Sequence, residues 1–199
     1  MLAATTSAML MAVGVVSGNA AATPPGEAQP SSRGTGEQQD INGDQDPGRK
    51  LRNSGTGLCV TGPVDGDQIR GKVVFQYDCM PGVEEQLWRF ESQGGDSEGH
   101  GLYWIRNLYT DMCLMVPGDD NRNGAYVRQY DCLSGVKDEL WFFEFKGADS
   151  EGHELLWIRN SYTERCLTVP SGELLRGAKA FQYDCLAGSK EQLWFLALD

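Results

Sequence analysis

Along residues 51–199 the apolar positions come in short bursts of three to eight residues. "LYWIRN" at 102–107, "CLTV" at 166–169, "AKAFQYDC" at 178–185 and "LWFLAL" at 193–198 are rich in β-branched and aromatic residues. Clusters of Gly, Pro, Asp and Ser separate such runs at spacings of roughly ten residues, the pattern of hairpins and short strands. No window holds a helical period. The chain therefore reads as all-β, with "GGDSEGHG" and "GADSEGHE" as long hairpin loops whose glycines supply positive φ.

The bursts also repeat. "LRNSGTGLCV" opens at Leu51, "IRNLYTDMCLMV" at Ile105 and "IRNSYTERCLTV" at Ile158. Cys59, Cys113 and Cys166 are spaced by 54 and 53 residues, and Trp88, Trp141 and Trp194 by 53 and 53. Self-similarity at a fixed period means one supersecondary unit stacked on its copies, and three units imply closure by symmetry. With four strands per repeat, twelve strands form a pseudo-threefold barrel capped by hairpins, which removes exposed sheet edges. The repeats are expected at 51–104, 105–157 and 158–199.

Upstream the pattern changes. The apolar run "MLMAVGVV" (Met9 to Val16), followed by Ala20, Ala21 and Ala22, has the length and the small-residue cleavage pattern of a secretory signal peptide over 1–22, although no Lys or Arg precedes Arg33. Residues 23–50 are Pro, Gly, Ser, Gln and Asp with almost no large apolar side chain, so they read as a disordered linker. The chain is expected to be secreted and to keep no membrane span after signal cleavage.

All six cysteines lie in the repeats, two in each, separated by 20, 19 and 19 residues. Six cysteines allow fifteen pairings, a threefold pattern permits three, and proximity favours the local one. Cys59 is expected to pair with Cys79, Cys113 with Cys132 and Cys166 with Cys185. Each such bridge is worth about 3 kcal/mol in the chain-entropy model and fits an oxidising, extracellular compartment. No C-x-x-C pair is present, so no metal site and no cofactor are expected.

The 199 residues carry 28 acidic and 17 basic side chains, a formal charge of -11. That excludes nucleic acid and anionic membrane surfaces as main partners. The two histidines, His100 and His153, occupy equivalent "DSEGH" loops and should lie apart around the threefold axis. Neither has a nucleophile context, and the carboxylates repeat with the fold instead of forming a unique pair. The chain is expected not to be an enzyme.

The order C-L-x-V, then aliphatic-Gln-aromatic-x-Cys, then Gln-x-Trp, three times over, resembles the ricin B-type β-trefoil lectins and related (QxW)3 carbohydrate-binding modules. Here the elements read "CVTG", "CLMV" and "CLTV"; "FQYDC", "RQYDC" and "FQYDC"; "QLW", "ELW" and "QLW". The resemblance implies a β-trefoil with Trp88, Trp141 and Trp194 in the core, bridges within repeats, and sugar binding. A sugar pocket needs an aromatic platform and planar hydrogen-bonding groups for vicinal hydroxyls. The family's platform falls on Tyr77, Tyr130 and Tyr183. Its amide pair falls on Glu85 and Gln86, Asp138 and Glu139, Glu191 and Gln192.

Its sugar-binding aspartate falls on Thr61, Met115 and Thr168 and is absent from all three repeats. Asp65, Asp67, Asp119, Asp120 and Glu173 are the nearby carboxylates available to replace it. Repeats one and three, with Thr61, Tyr77, Glu85 and Gln86, and Thr168, Tyr183, Glu191 and Gln192, are the stronger candidates. Asp78, Asp131 and Asp184, beside the second cysteine, read as turn residues bonding nearby backbone. The repeated Arg-Asn pairs (Arg52 and Asn53, Arg106 and Asn107, Arg159 and Asn160) read as locks between repeats. The expected function is a secreted, non-catalytic, monomeric lectin that recognises a glycan or polysaccharide through shallow pockets. The alternative is a trefoil that has lost sugar binding and binds another protein.

Overall fold

The computed structural model describes residues 46–63, 69–118, 120–171 and 176–198. Signal segment 1–22, most of the linker, and Asp65, Asp67, Asp119 and Glu173 lie outside them. Among the described residues no helix is long and apolar enough to cross a membrane.

Twelve strands form one curled sheet, four from each repeat. The first repeat supplies β1 (Lys50–Asn53), β2 (Cys59–Thr61), β3 (Phe75–Tyr77) and β4 (Trp88–Gly95). The second supplies β5 (Gly101–Asn107), β6 (Cys113–Met115), β7 (Arg128–Tyr130) and β8 (Trp141–Ala148). The third supplies β9 (Glu154–Asn160), β10 (Cys166–Thr168), β11 (Phe181–Tyr183) and β12 (Trp194–Ala197). A 3-10 turn precedes the last strand of each repeat, at Glu84–Gln86, Lys137–Glu139 and Lys190–Gln192. The repeat boundaries read at 104 and 157 fall inside β5 and β9, because the repeated motif begins at the strand end and not at the hairpin turn.

The outer strands of the repeats close the barrel. Long hairpins join β4 to β5 and β8 to β9, while β5 meets β8 at Tyr103 and Trp141 and β9 meets β12 at Leu156 and Trp194. β1 runs antiparallel to β12 over four residues, and Arg49 bridges Trp88 with N···O distances of 2.9 Å both ways. Arg49 and Lys50, read as the end of the linker, are thus part of the trefoil. Inner hairpins β2–β3, β6–β7 and β10–β11 cap the barrel, and the bridges Val73 to Arg128, Phe75 to Lys179 and Tyr126 to Phe181 tie the caps to one another.

Alternation along these strands sends one residue set inward. Trp88, Trp141 and Trp194 are fully buried with Leu51, Ile105 and Ile158 and with Val60, Leu114 and Leu167. A buried indole N–H needs an acceptor. Each finds the equivalent carbonyl of its own repeat: Val60 at 3.0 Å, Leu114 at 2.9 Å and Leu167 at 2.9 Å. The three disulfides join Cys59 to Cys79, Cys113 to Cys132 and Cys166 to Cys185, as the spacing predicts. Gly99 and Gly152 sit at φ of +91° and +89° in the "DSEGH" turns, a region that L side chains rarely adopt.

The Arg-Asn pairs divide their labour. Asn53, Asn107 and Asn160 are buried and cross repeat boundaries. Asn107 Nδ2 donates to Glu85 O at 2.9 Å, Asn160 Nδ2 to Asp138 O at 2.8 Å, and Asn53 Nδ2 to Glu191 O at 3.0 Å. The arginines instead brace their own turns, with Nε donating to the carbonyls of Gly57, Asp111 and Glu164 at 3.0, 3.2 and 3.0 Å. Those three carbonyls belong to residues with positive φ, and only the first of them is glycine.

Candidate functional site

In each repeat the second inner strand ends in Gln-Tyr, and Asp-Cys follows it directly. Strand alternation buries the Gln and turns the Tyr outward. Tyr77 and Tyr183 are each 37% exposed, whereas Tyr130 is half-buried with the Arg70 guanidinium 5.1 Å above its ring.

The aspartates, expected to be turn residues, are each held by a side chain from another repeat. Arg176 clasps Asp78 with two bonds of 2.9 Å, Arg70 pairs with Asp131, and Asn123 Nδ2 donates to Asp184 at 2.7 Å. Arg70, Asn123 and Arg176 are symmetry equivalents, so each repeat reaches the aspartate of the next, and the third returns to the first.

The residues carried over as sugar contacts fall into two groups. Gln86 and Gln192 are buried, and their amides are engaged internally. Gln192 Nε2 donates to Thr168 Oγ1 at 3.1 Å and Asp184 O at 2.8 Å, while its Oε1 accepts from Leu186 N at 2.7 Å. Gln86 makes the same three bonds to Thr61 Oγ1 (3.2 Å), Asp78 O (2.6 Å) and Met80 N (2.8 Å). Thr61 and Thr168 are buried as well, each also donating to the carbonyl of its strand's cysteine, Cys59 or Cys166. Glu85 and Glu191 are half-buried, and Tyr77 and Tyr183 are exposed.

In repeat three all four carried-over residues converge. Thr168, Tyr183, Glu191 and Gln192 line an open cleft of about 300 Å³, with Ser189 and Leu186 on its wall. Gln192 and Thr168 form a hydrogen-bonded floor, Tyr183 an upright ring, and Glu191 a carboxylate held by Ser189 Oγ at 2.9 Å. Leu186 and Ser189 had no marker in the sequence. They reach the cleft because the Cys166 to Cys185 bridge and the Gln192 to Leu186 bond fold that loop back over the strand.

Repeat two differs. Glu139 takes the Gln position, accepts from Leu133 N at 2.6 Å with Oε2, and leaves Oε1 buried without a partner. Burial, with the negative charges of Asp138 and Asp131 in support, pushes its carboxyl above the usual range, against the lowering effect of the Leu133 amide. Asp138 is raised chiefly by burial too. Met115 stands where the other repeats have threonine, so the floor cannot form there.

The histidines lie in separate turns. His100 Nδ1 is 2.8 Å from Asp96 and its ring stacks on Phe142 at 4.4 Å; His153 is 2.8 Å from Asp149 and stacks on Phe195 at 4.3 Å. Bonds from His100 and from turn amides hold the Asp96 carboxyl below its usual range against the opposing effect of burial, and His153 foremost does the same for Asp149. Each turn thus docks its imidazole on the last strand of the following repeat.

Known structures share this architecture. A designed threefold-symmetric protein, ThreeFoil, is 24% identical with a TM-score of 0.62, covering 77% of this chain and all of that one. An exo-beta-1,3-galactanase from Clostridium thermocellum is 23% identical with a TM-score of 0.60, but this chain spans only 31% of its length against 78% of its own. The Macrolepiota procera ricin B-like lectin, solved with lactose, is 14% identical with a TM-score of 0.53, over 76% of this chain and 94% of that one. At such identities the likeness establishes the fold alone. A search of curated protein sequences finds no match. The family model for the ricin-type beta-trefoil lectin domain matches residues 47–194, so the fold, the tripled motif and the sequence match together place this chain in the ricin-type β-trefoil lectin family.

Proposed function

We propose that this chain is a secreted, non-catalytic lectin that binds a glycan through the cleft of repeat three and through its counterpart in repeat one. The convergence of Thr168, Tyr183, Glu191 and Gln192 on one open cleft carries the reading. Tyr183 offers its face to the C–H side of a pyranose. Gln192 has both amide hydrogens engaged, so it stiffens the floor and Glu191 supplies the hydroxyl acceptor that the missing aspartate would have given. A charge-assisted bond of that kind contributes about 1.5 to 3 kcal/mol. Tyr77, Glu85, Gln86 and Thr61 form the equivalent set in repeat one. Two weak sites on one rigid body favour multivalent polysaccharides, on which avidity exceeds single-site affinity. The three disulfides support an extracellular location.

The test is a glycan array with the wild type, Tyr77→Ala and Tyr183→Ala. Binding to at least one glycan, reduced about tenfold by Tyr183→Ala, is the expected result and corresponds to about 1.4 kcal/mol. A folded protein silent on every glycan would overturn the reading in favour of the protein-binding trefoil.

A further inference from the structure

A second cleft, of about 480 Å³, opens where the β8–β9 turn leans on the β1–β12 seam; its lining includes Arg52, Gly57, Glu151, His153, Lys190 and Phe195. It shares no residue with the repeat-three cleft.

Here the pseudo-symmetry is broken at one charge. Arg106 is neutralised by Glu91 at 3.4 Å and by Asp111 at 2.7 Å, and Arg159 by Glu144 at 3.1 Å. Arg52 is their equivalent, but the position of Glu91 and Glu144 is held on the strand paired with it, β12, by Ala197, and that of Asp111 in its own turn by Gly57. Among the described residues no carboxylate pairs with Arg52. Its Nε is committed to Gly57 O at 3.0 Å, which leaves the two terminal nitrogens of a fixed guanidinium available. A Cβ built on Gly57 would stand 3.8 Å from Nη2, so Gly57 leaves open the space that Asp111 fills beside Arg106.

The rest of the lining narrows the ligand. A guanidinium fork matches a carboxylate in bidentate geometry, and Lys190 adds a second cation to the lining. His153, backed by the buried Phe195 ring at 4.3 Å, presents the outer face of its imidazole as a flat surface. Glu151 presents an acceptor for hydroxyls, and with Asp149 it opposes a compact dianion such as sulfate or phosphate. The volume suits one or two sugar rings.

We propose that this cleft is a separate site for a carboxylated saccharide of the uronic-acid type, with Arg52 and Lys190 holding the carboxylate, the outer face of His153 the ring, and Glu151 the hydroxyls. The site stands independently of the neutral-sugar cleft of repeat three.

The probes are methyl β-glucuronide, its neutral counterpart methyl β-glucoside, and acetate, titrated by NMR into the wild type, Ala197→Glu, Gly57→Asp and Tyr183→Ala. Both cleft variants copy arrangements that the other repeats already use, and an unchanged amide spectrum outside the cleft verifies folding. The glucuronide should move the Arg52 and His153 signals and bind about tenfold or more tightly than the glucoside or acetate, the ratio a charged hydrogen bond supports. Ala197→Glu and Gly57→Asp should each weaken it about tenfold, and Tyr183→Ala should leave it unchanged. Equal binding of glucuronide and glucoside, equal binding of acetate, indifference to both cleft variants, or no shifts at Arg52 and His153 would each overturn the proposal.

Discussion

Replacing Asn107 by alanine tests whether the repeats are held together by their buried asparagines. Asn107 Nδ2 donates to Glu85 O at 2.9 Å and Leu87 O at 3.3 Å, and its Oδ1 accepts from the amides of Tyr109 and Thr110 at 3.2 and 3.1 Å. Four bonds at about 1 kcal/mol each set a ceiling of about 4 kcal/mol. Both carbonyls keep a backbone partner after truncation, Glu85 O from Gly62 and Leu87 O from Leu108, so no buried acceptor is orphaned. The two turn amides border solvent and can recruit water. The expected loss is therefore about 3 kcal/mol, which at a urea slope near 2 kcal/mol/M moves the unfolding midpoint down by about 1.5 M. Tryptophan fluorescence with the disulfides intact reads it out. Asn107→Asp should do at least as much damage, because it sets a carboxylate against two carbonyl oxygens. A midpoint shift below about 0.5 M for Asn107→Ala would refute the assignment of inter-repeat locking to this side chain.

Other perturbations separate the repeats. Glu139→Gln should stabilise the fold at pH 7 by about 1 kcal/mol by giving the Asp131 carbonyl the donor that Gln86 and Gln192 give its equivalents. The sign of its pH dependence follows from the raised carboxyl of Glu139: stability is full below the unfolded value of about 4.3 and falls as pH rises through the folded one, so the variant's advantage should vanish near pH 4 in urea titrations. Replacing Cys113 and Cys132 together by alanine should cost about 3 kcal/mol by the same assay, with the other two bridges confirmed intact by mass spectrometry. Gly62→Ala should lose about 1 to 2 kcal/mol in thermal or urea unfolding, since its Cβ would stand 3.2 Å from Asn107 Nδ2 and closer still to Gln129 Nε2, both pinned in the interior.

What the sequence disclosed was everything that repeats. Trp88, Trp141 and Trp194, the paired cysteines and the Arg-Asn ends recur at a common offset, and a common offset becomes a common place once the barrel closes. What it hid was the contact between repeats whose residue type does not itself recur. Asp78 meets Arg176 across 98 residues, and the equivalent contacts use Arg70 and Asn123, so the interacting residue type is not itself repeated. Tyr183 and Glu191 were legible because the tripled motif marks them. Leu186 and Ser189 were not, since only the folding of their loop over β10 gives them a role. Arg52 looks like its two copies in the sequence, and its difference appears only when Ala197 and Gly57 are found beside it.

The pairing of β1 with β12 carries a kinetic consequence. These strands lie at opposite ends of the trefoil, so the register Lys50 to Ala197 through Asn53 to Trp194 closes a loop of nearly the whole domain. The entropy of that closure is met last, after the local hairpins β4–β5 and β8–β9 have formed. Until β12 has been made, β1 has no partner on that side and the third tryptophan is missing from the core. The topology therefore predicts that a nascent chain of two repeats leaves the β1 edge unpaired, and that protection of the β1 amides in hydrogen exchange arrives only once β12 has been made.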